Sequence, residues 1–218
     1  MGKNILIVAA TAKEINLFIE LTRTGGLNNV DILISGIGLT ASTYHLAKQL
    51  ALKKYGLVIQ AGVAGSFDLS IPPGAVVAVK QDTIADQSVV ELQKLKTLFD
   101  LKLVPQDQYP YKKGWLINPN KDILKKTKLK TVKGISVNQI STSKQMITFY
   151  RDMFDPTTES MEGAALHYVC LMEKVPFLQI RSISNYIGER NKKKWDMMDS
   201  ITNLNYELFK LIKTLNIQ

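Results

Sequence analysis

The sequence predicts a single α/β domain over residues 1–218, with a mixed, largely parallel central sheet between two helical layers in a three-layer α/β/α arrangement. Apolar runs of strand length alternate with segments whose apolar residues recur every three or four positions, which is typical of βαβ units. The 218 residues are 45% hydrophobic and 22% charged, with no internal repeat or low-complexity tract. A chain of this length and composition buries a sizeable core.

Six apolar runs have the length of strands, and several are apolar enough to be buried on both faces. They cover residues 4–10, 30–35, 57–61, 75–80, 131–137 and 177–184. Five segments have helical periodicity, and they cover residues 13–23, 40–54, 144–154, 161–174 and 196–215. The stretch 86–130 contains three prolines and no sustained periodicity, so we expect an insertion with short helices there.

Pairs of glycines follow two of the predicted strands. Gly36 and Gly38 follow the second strand, and Gly62 and Gly65 follow the third. A glycine here can simply serve a turn that needs positive φ. Because the carboxyl ends of parallel strands form the edge at which α/β sheets bind ligands, the recurrence favours a binding site at this edge.

Composition excludes several classes of protein. Apolar runs reach only about seven residues, far fewer than the roughly 20 that a membrane-spanning helix needs. The first run is soon followed by charged Lys13 and Glu14 instead of a signal-peptide cleavage site, so we expect a cytoplasmic protein. Cys170 is the single cysteine, and His45 and His167 are the two histidines. We therefore expect no disulfide, no metal and no cofactor.

The formal net charge is +9, from 28 Lys and Arg against 19 Asp and Glu. Such a charge favours anionic ligands or nucleic acid. Only four of the basic residues are arginines, the type best suited to bidentate recognition. The lysines of residues 121–133 are more typical of a solvated face. We expect a small-molecule ligand and no nucleic acid, and a lysine-rich, catalytically silent nucleotide- or nucleic-acid-binding module is the alternative.

Three polar residues lie where the sheet edge should open. Glu14 follows the first strand at the start of a helix, Glu162 lies in the segment Glu159-Ser160-Met161-Glu162-Gly163-Ala164-Ala165, and Asn185 follows the last strand. Carboxylates at helix starts can equally complement the macrodipole or cap the helix, and an asparagine can cap a turn. Glu159 is open to the same capping interpretation.

Together, these motifs resemble the nucleoside phosphorylase and nucleosidase superfamily. Within it they resemble the hydrolytic nucleosidases, including 5′-methylthioadenosine/S-adenosylhomocysteine nucleosidase and futalosine hydrolase. The matching pieces occur in the family's order, and the segment Ser160-Met161-Glu162-Gly163-Ala164-Ala165 is the most specific. They span residues 7–14, 35–38, 62–66, 159–165 and 182–185.

The resemblance implies a nucleoside phosphorylase-like fold and cleavage of a purine N-glycosidic bond through an oxocarbenium-like transition state. Glu14 matches the family's acid/base glutamate, which activates water. Glu162 matches the glutamate that binds the ribose 2′ and 3′ hydroxyls, with Met161 packing on the sugar. Ala64 and Gly65 match backbone contacts near the base and the water. Family members are homodimers or larger, so we expect a homo-oligomer.

Asn185 indicates which purine base the substrate carries. Adenine-specific nucleosidases usually carry an aspartate at the matching position, whereas an asparagine amide can donate to O6 of hypoxanthine and accept from protonated N7. Because the glycine-containing segments carry no arginine for phosphate, we expect hydrolysis. The rivals are an adenine-releasing nucleosidase and an inosine-type phosphorylase, and a phosphate requirement would identify the latter.

The segment 184–190 also looks like futalosine hydrolase, which releases hypoxanthine from futalosine in menaquinone biosynthesis. Futalosine carries a benzoate on its 5′ side, so a cation should meet it. Arg190, Lys192, Lys193 and Lys194 are the candidates, although a solvated surface position is the commoner case for any one of them.

Overall fold

The computed structural model describes residues 4–25, 27, 29–189 and 196–215. In these residues the strands are β1 (Ile5–Ala9), β2 (Val30–Ile34), β3 (Leu57–Ser66), β4 (Val76–Asp82), β5 (Ser88–Glu91), β6 (Lys94–Thr97), β7 (Leu116–Ile117), β8 (Lys130–Ser136), β9 (Thr158–Ser160) and β10 (Phe177–Tyr186). The helices are α1 (Ala12–Gly25), α2 (Leu39–Leu52), α3 (Lys121–Thr127), α4 (Lys144–Phe154), α5 (Gly163–Met172) and α6 (Met197–Leu215).

Eight of these strands form one mixed sheet. Strands β2, β1, β3 and β10 lie side by side and parallel, and β4 pairs antiparallel with β10. Strand β8 runs parallel to β4, and β9 runs parallel to β8. The first two residues of β9 also pair antiparallel with the last two residues of β3, Glu159 with Gly65 and Thr158 with Ser66. The mixed, largely parallel sheet is as predicted, and β9 closes part of it into a barrel.

Helices cover both faces of the sheet. All five residues of β1 are buried, and because successive side chains point to opposite faces, they feed two separate cores. Helices α1, α3 and α6 lie over one core, and α2 and α5 lie over the other. The first core includes Ile5, Ile7, Phe18, Leu124, Leu204 and Leu208, and the second includes Leu6, Val8, Leu46, Leu166 and Val169. The predicted three-layer arrangement is confirmed.

The stretch 86–130 differs from the expectation of short helices. It contains the two-stranded β5–β6 hairpin and β7, and α3 is the one α-helix in it. The hairpin turns at Leu92 and Gln93, whose φ angles are 49° and 59°. Turns with two positive φ angles normally use Asn-Gly or Asp-Gly. Leu92 and Gln93 are not residues that predict such a turn, so the hairpin could not be recognised from the sequence.

Cys170 on α5 is buried, and burial raises the pKa of its thiol. It packs as a small apolar side chain. None of the helices in the described ranges is long and apolar enough to cross a bilayer. The same ranges contain no group of three His, Cys, Asp or Glu side chains able to hold a metal ion.

Candidate active site

A cavity of about 340 Å³ lies at the carboxyl ends of β1, β3 and β10, beside β9. This volume is at the lower end of the range for small-molecule sites. The cavity brings together all six residues that the sequence singled out, and these are Glu14, Ala64, Gly65, Met161, Glu162 and Asn185. Val137 and Ile140 also line the cavity.

Glu14 lies in the first turn of α1. Its Oε2 accepts hydrogen bonds from the Thr11 amide and hydroxyl, both at 3.0 Å, which is the glutamate half of a capping box. Its Oε1 accepts from the Val63 amide at 3.3 Å. The buried Asn205 of α6 donates to the Glu14 carbonyl at 2.8 Å and so fixes this turn. One carboxylate thus caps the helix and lines the cavity.

Glu162 is the N-cap residue of α5, which begins at Gly163, two residues after the predicted start at 161. Its φ of −132° is not helical, and its side chain makes no capping bond. The Gly163 and Ala164 amides are bound instead by Ser160 Oγ at 3.3 Å and Ser136 Oγ at 2.8 Å. The capping explanation therefore fails for Glu162, and its carboxylate is left for the cavity.

Two groups hold the carboxylate of Glu162. Oε1 accepts from the Gly38 amide at 3.0 Å, and Oε2 lies 3.6 Å from Arg181 Nη1. Arg181 is 1% exposed, and its Nη2 donates to Gln60 Oε1 at 2.7 Å. Because a buried carboxylate needs compensation, this pairing offsets part of the cost of burying Glu162, which is 6% exposed.

Sequence reasoning assigned no role to Arg181. The guanidinium lies over Gly62, where a Cβ would collide with Arg181 Nη1 and lie 3.3 Å from Glu14 Oε1. Arg181 thus pairs with Glu162 and lies on the same glycine that Glu14 approaches. The available signal was an arginine inside the apolar run 177–184, because such a residue is almost never buried without a partner.

Gly62, Ala64 and Gly65 lie inside β3, which is longer than predicted, and do not form a loop after it. Asn185 lies likewise inside β10, beside Gly65, after an irregularity in register. A Cβ at Gly65 would collide with Ile187 and approach Asn185 Nδ2 to 3.5 Å. The missing side chain at Gly65 therefore makes room for the Ile187 side chain beside Asn185.

The Asn185 amide is held at both ends. Oδ1 accepts from Ser184 Oγ at 2.8 Å, and Nδ2 donates to the Tyr186 carbonyl at 3.1 Å. An amide has two donor hydrogens and two acceptor lone pairs. One hydrogen and one lone pair of Asn185 therefore remain for a ligand.

The charges around the cavity are mostly negative. Glu14, Glu159 and Glu162 line it, and Lys13 is the one cationic residue among the lining residues in the described part of the chain. The sequence pointed to Arg190 and Lys192–Lys194 as partners for a substrate carboxylate. These four residues lie outside the described ranges.

The fold and the cavity belong to a recognised class. Residues 1–215 match the family model of the phosphorylase superfamily, and the chain belongs to that superfamily. The predicted nucleoside phosphorylase-like fold is confirmed. Family membership and the names of the relatives support a hydrolase that acts on N-glycosyl bonds of nucleosides.

Two kinds of nucleosidase are among the similar proteins. The 5′-methylthioadenosine/S-adenosylhomocysteine nucleosidase of Psychromonas ingrahamii is 29% identical over 208 residues, covering 88% of this chain and 85% of the relative. The futalosine hydrolase of Streptomyces coelicolor is 24% identical over 190 residues, covering 85% and 79%. A crystallised mutant of the Helicobacter pylori methylthioadenosine nucleosidase, with 5′-methylthioadenosine in its active site, has a TM-score of 0.80 at 23% identity, covering 98% and 99%. Most of the similar sequences carry the methylthioadenosine nucleosidase name.

Proposed function

We propose that this protein hydrolyses the N-glycosidic bond of futalosine and releases hypoxanthine. The observation that carries the choice of base is Asn185, which lines the same cavity as Glu14 and Glu162. The name of the Streptomyces coelicolor relative supports the choice of futalosine.

Glu14 is the proposed general base. Oε1 accepts only a 3.3 Å bond from the Val63 amide, so it has a lone pair for a water molecule in the cavity. The water oxygen bonds to C1′ while the C1′–N9 bond breaks. The electron pair of the C1′–N9 bond passes to N9 of the purine. Glu14 takes the proton that the water loses, and the departing base takes up a proton at N7 from solvent. A positioned base of this kind contributes about 10²- to 10⁴-fold.

Glu162 is the proposed ribose ligand. Its carboxylate, held between the Gly38 amide and Arg181, can accept from the 2′ and 3′ hydroxyls while Met161 packs on the sugar. The transition state carries positive charge on the ribose, and a fixed carboxylate stabilises that charge more than it stabilises the neutral substrate. Ala64 and Gly65 offer backbone contacts beside the base and the water.

The free hydrogen on Asn185 Nδ2 can donate to O6, and the free lone pair on Oδ1 can accept from N7–H. An aspartate at this position would place a negative charge against O6 and suits a 6-amino group instead. A buried polar group left without a partner costs about 1–3 kcal/mol. The asparagine therefore favours a 6-oxopurine.

An adenine-releasing 5′-methylthioadenosine/S-adenosylhomocysteine nucleosidase is the second candidate. It is favoured by the names of most of the similar sequences. The apolar 5′-methylthio group of its substrate 5′-methylthioadenosine could contact Ile37 and Met197, which line the cavity. Under this second function Glu14 and Glu162 keep their roles, and only the recognition of a 6-oxopurine by Asn185 would be wrong.

A substrate panel tests the proposal. The protein is incubated in phosphate-free buffer with futalosine, inosine, 5′-methylthioadenosine or S-adenosylhomocysteine, and the released base is identified by chromatography. Hypoxanthine from futalosine supports the proposal, adenine supports the second candidate, and release only after phosphate is added indicates a phosphorylase. Binding without release, together with salt-sensitive binding to DNA, would indicate the catalytically silent module.

Assembly into a homodimer or larger oligomer remains a prediction. Sedimentation velocity of the full chain would test it.

A further inference from the structure

The wall of the active-site cavity contains a cation that the proposed mechanism does not use. Lys13 lines the cavity, and in the described part of the chain its other charged lining residues are Glu14, Glu159 and Glu162. These carboxylates repel an anionic group on a substrate. Lys13 therefore marks the part of the wall where such a group is attracted instead.

The structure of α1 does not account for Lys13. It is the second residue of the helix, where the positive end of the helix dipole makes a cation unfavourable. The residues three and four positions further on are Asn16 and Leu17, so no helical ion pair is available. Lys13 takes part in none of the ion pairs formed among the described residues. A residue that breaks a local rule without a structural partner is expected at a functional site.

The two proposed catalytic carboxylates set the orientation of the ribose. Glu14 accepts from the Val63 amide, and Glu162 pairs with Arg181, whose guanidinium lies over Gly62. Both carboxylates therefore meet at one stretch of β3. The 2′ and 3′ hydroxyls and the attacking water lie on one face of the ribose, and the base and the 5′ carbon lie on the other. The hydroxyl face turns toward β3, so the 5′ carbon points away from it, to the mouth of the cavity.

An apolar pair and Lys13 lie at this mouth. Among the lining residues, Ile37 is 62% exposed, Lys13 is exposed and Met197 is half-buried. The first turns of α1 and α6 are tied together here, because Asn205 donates to the Glu14 carbonyl at 2.8 Å. The hydrocarbon part of a 5′ substituent can pack on the apolar pair. The flexible stem of the lysine can bring its ammonium group to an anionic end.

We propose that Lys13 is a specificity-determining residue that binds a carboxylate on the 5′ substituent of the nucleoside. This assignment rests on the purine nucleosidase function proposed for the same cavity, and it applies whichever base is released. Futalosine carries such a carboxylate in its benzoate, and S-adenosylhomocysteine carries one in its homocysteine part. Inosine and 5′-methylthioadenosine carry none.

The test is the Lys13→Met variant of the full chain, compared with the unaltered protein and with Lys126→Met, which removes an exposed cation on α3. Futalosine and inosine share base and sugar, so the ratio of their kcat/KM values reports the 5′ substituent alone. This ratio should fall about three- to thirtyfold in Lys13→Met, between the effects of an exposed ion pair and of a charge-assisted hydrogen bond. The loss should appear in KM, because the carboxylate is remote from C1′. Lys126→Met and Lys13→Arg should keep the ratio.

The methyl ester of futalosine, which lacks the negative charge, completes a cycle with the variant. The ester should be a poorer substrate than futalosine for the unaltered protein, and an equally good one for Lys13→Met. A ratio that survives in Lys13→Met would overturn the assignment, and so would an equal loss on futalosine and inosine. Lys13→Gln gives the same comparison if the methionine variant does not fold.

Failure of the proposed function has a different signature. If the unaltered protein releases adenine and leaves futalosine intact, the hydrolysis of futalosine is wrong, and Lys13 is tested with the other pair of substrates. Lys13→Met should then lower kcat/KM for S-adenosylhomocysteine relative to 5′-methylthioadenosine, and equal effects on both would overturn the assignment. Release of no base from any of the four nucleosides would overturn the nucleosidase function and the role of Lys13 together.

Discussion

Replacing Asp82 with asparagine should stabilise the protein near neutral pH. Asp82 ends β4 and is fully buried. Burial raises the pKa of its carboxyl from 3.8 to about 6, against the opposing effects of the Ser136 hydrogen bond and the Arg181 charge. Its Oδ1 accepts from Ser136 Oγ at 2.9 Å, and its Oδ2 has no hydrogen-bond partner. Burial therefore outweighs the favourable contacts.

The pKa shift sets the size and the pH window of the effect. A carboxyl whose pKa is higher in the folded state contributes stability that is fully present below pH 3.8 and is lost as the pH rises through about 6. Two pKa units correspond to about 3 kcal/mol. Asparagine cannot ionise, and it can still accept from Ser136.

Urea unfolding at pH 5 and pH 8 measures this prediction. At pH 8 the midpoint of Asp82→Asn should lie about 1.5 M above that of the unaltered protein, given slopes of about 2 kcal/mol/M. The gain should shrink at pH 5. Asp152→Asn, an exposed substitution on α4, should shift the midpoint at neither pH. Equal destabilisation of Asp82→Asn at both values would refute the reasoning, because it would mean that the carboxylate contributes more through Ser136 than its burial costs.

Three further predictions concern the cavity. Glu14→Gln should lower kcat by about 10²- to 10⁴-fold while the melting temperature barely changes, since glutamine can still close the capping box; full activity would exclude Glu14 as the base. Asn185→Asp should move kcat/KM from 6-oxo toward 6-amino nucleosides, and an unchanged ratio would show that another group reads the base. Arg181→Met leaves the Glu162 carboxylate buried without its cationic partner, so chemical unfolding should show a loss of about 3–5 kcal/mol; a neutral effect would mean that the Arg181–Glu162 pair does not stabilise the fold.

The sequence alone was sufficient to predict that the site residues lie close together. Glu14, Ala64 and Asn185 come from segments far apart in the chain, but each lies at the carboxyl end of a parallel strand. Parallel strands joined by helices place those ends at one edge, whatever the strand order. That these residues meet at one edge could therefore be predicted from local patterns. The lengths of β3 and β10 could not, because their last residues are in strand geometry only through pairing with each other and, for β3, with β9.

The features that local patterns missed depend on contacts between distant segments. Strand β9 has three residues, too few for any periodicity, and it exists because β8 and β3 lie on either side of it. Glu159 was open to interpretation as a capping residue, and only the pairing of β9 turns it toward the cavity. The role of Arg181 could not be predicted for the same reason, because its partners Glu162 and Gln60 are remote from it in sequence.

The carboxylates of the cavity favour water over phosphate as the nucleophile of the proposed reaction. Glu14 and Glu162 are fixed by groups of the protein, Glu14 by Thr11 and Glu162 by the Gly38 amide, so neither has to be ordered when the substrate binds. Glu159 lines the cavity with them, whereas Arg181 is not among its lining residues in the described part of the chain. Phosphate would meet these like charges at distances where, in a half-buried site, repulsion amounts to several kcal/mol. A neutral water meets no such repulsion, and the positive charge that develops on the ribose is attracted by the same groups. The site therefore favours the hydrolytic transition state, and added phosphate should leave the rate of base release unchanged.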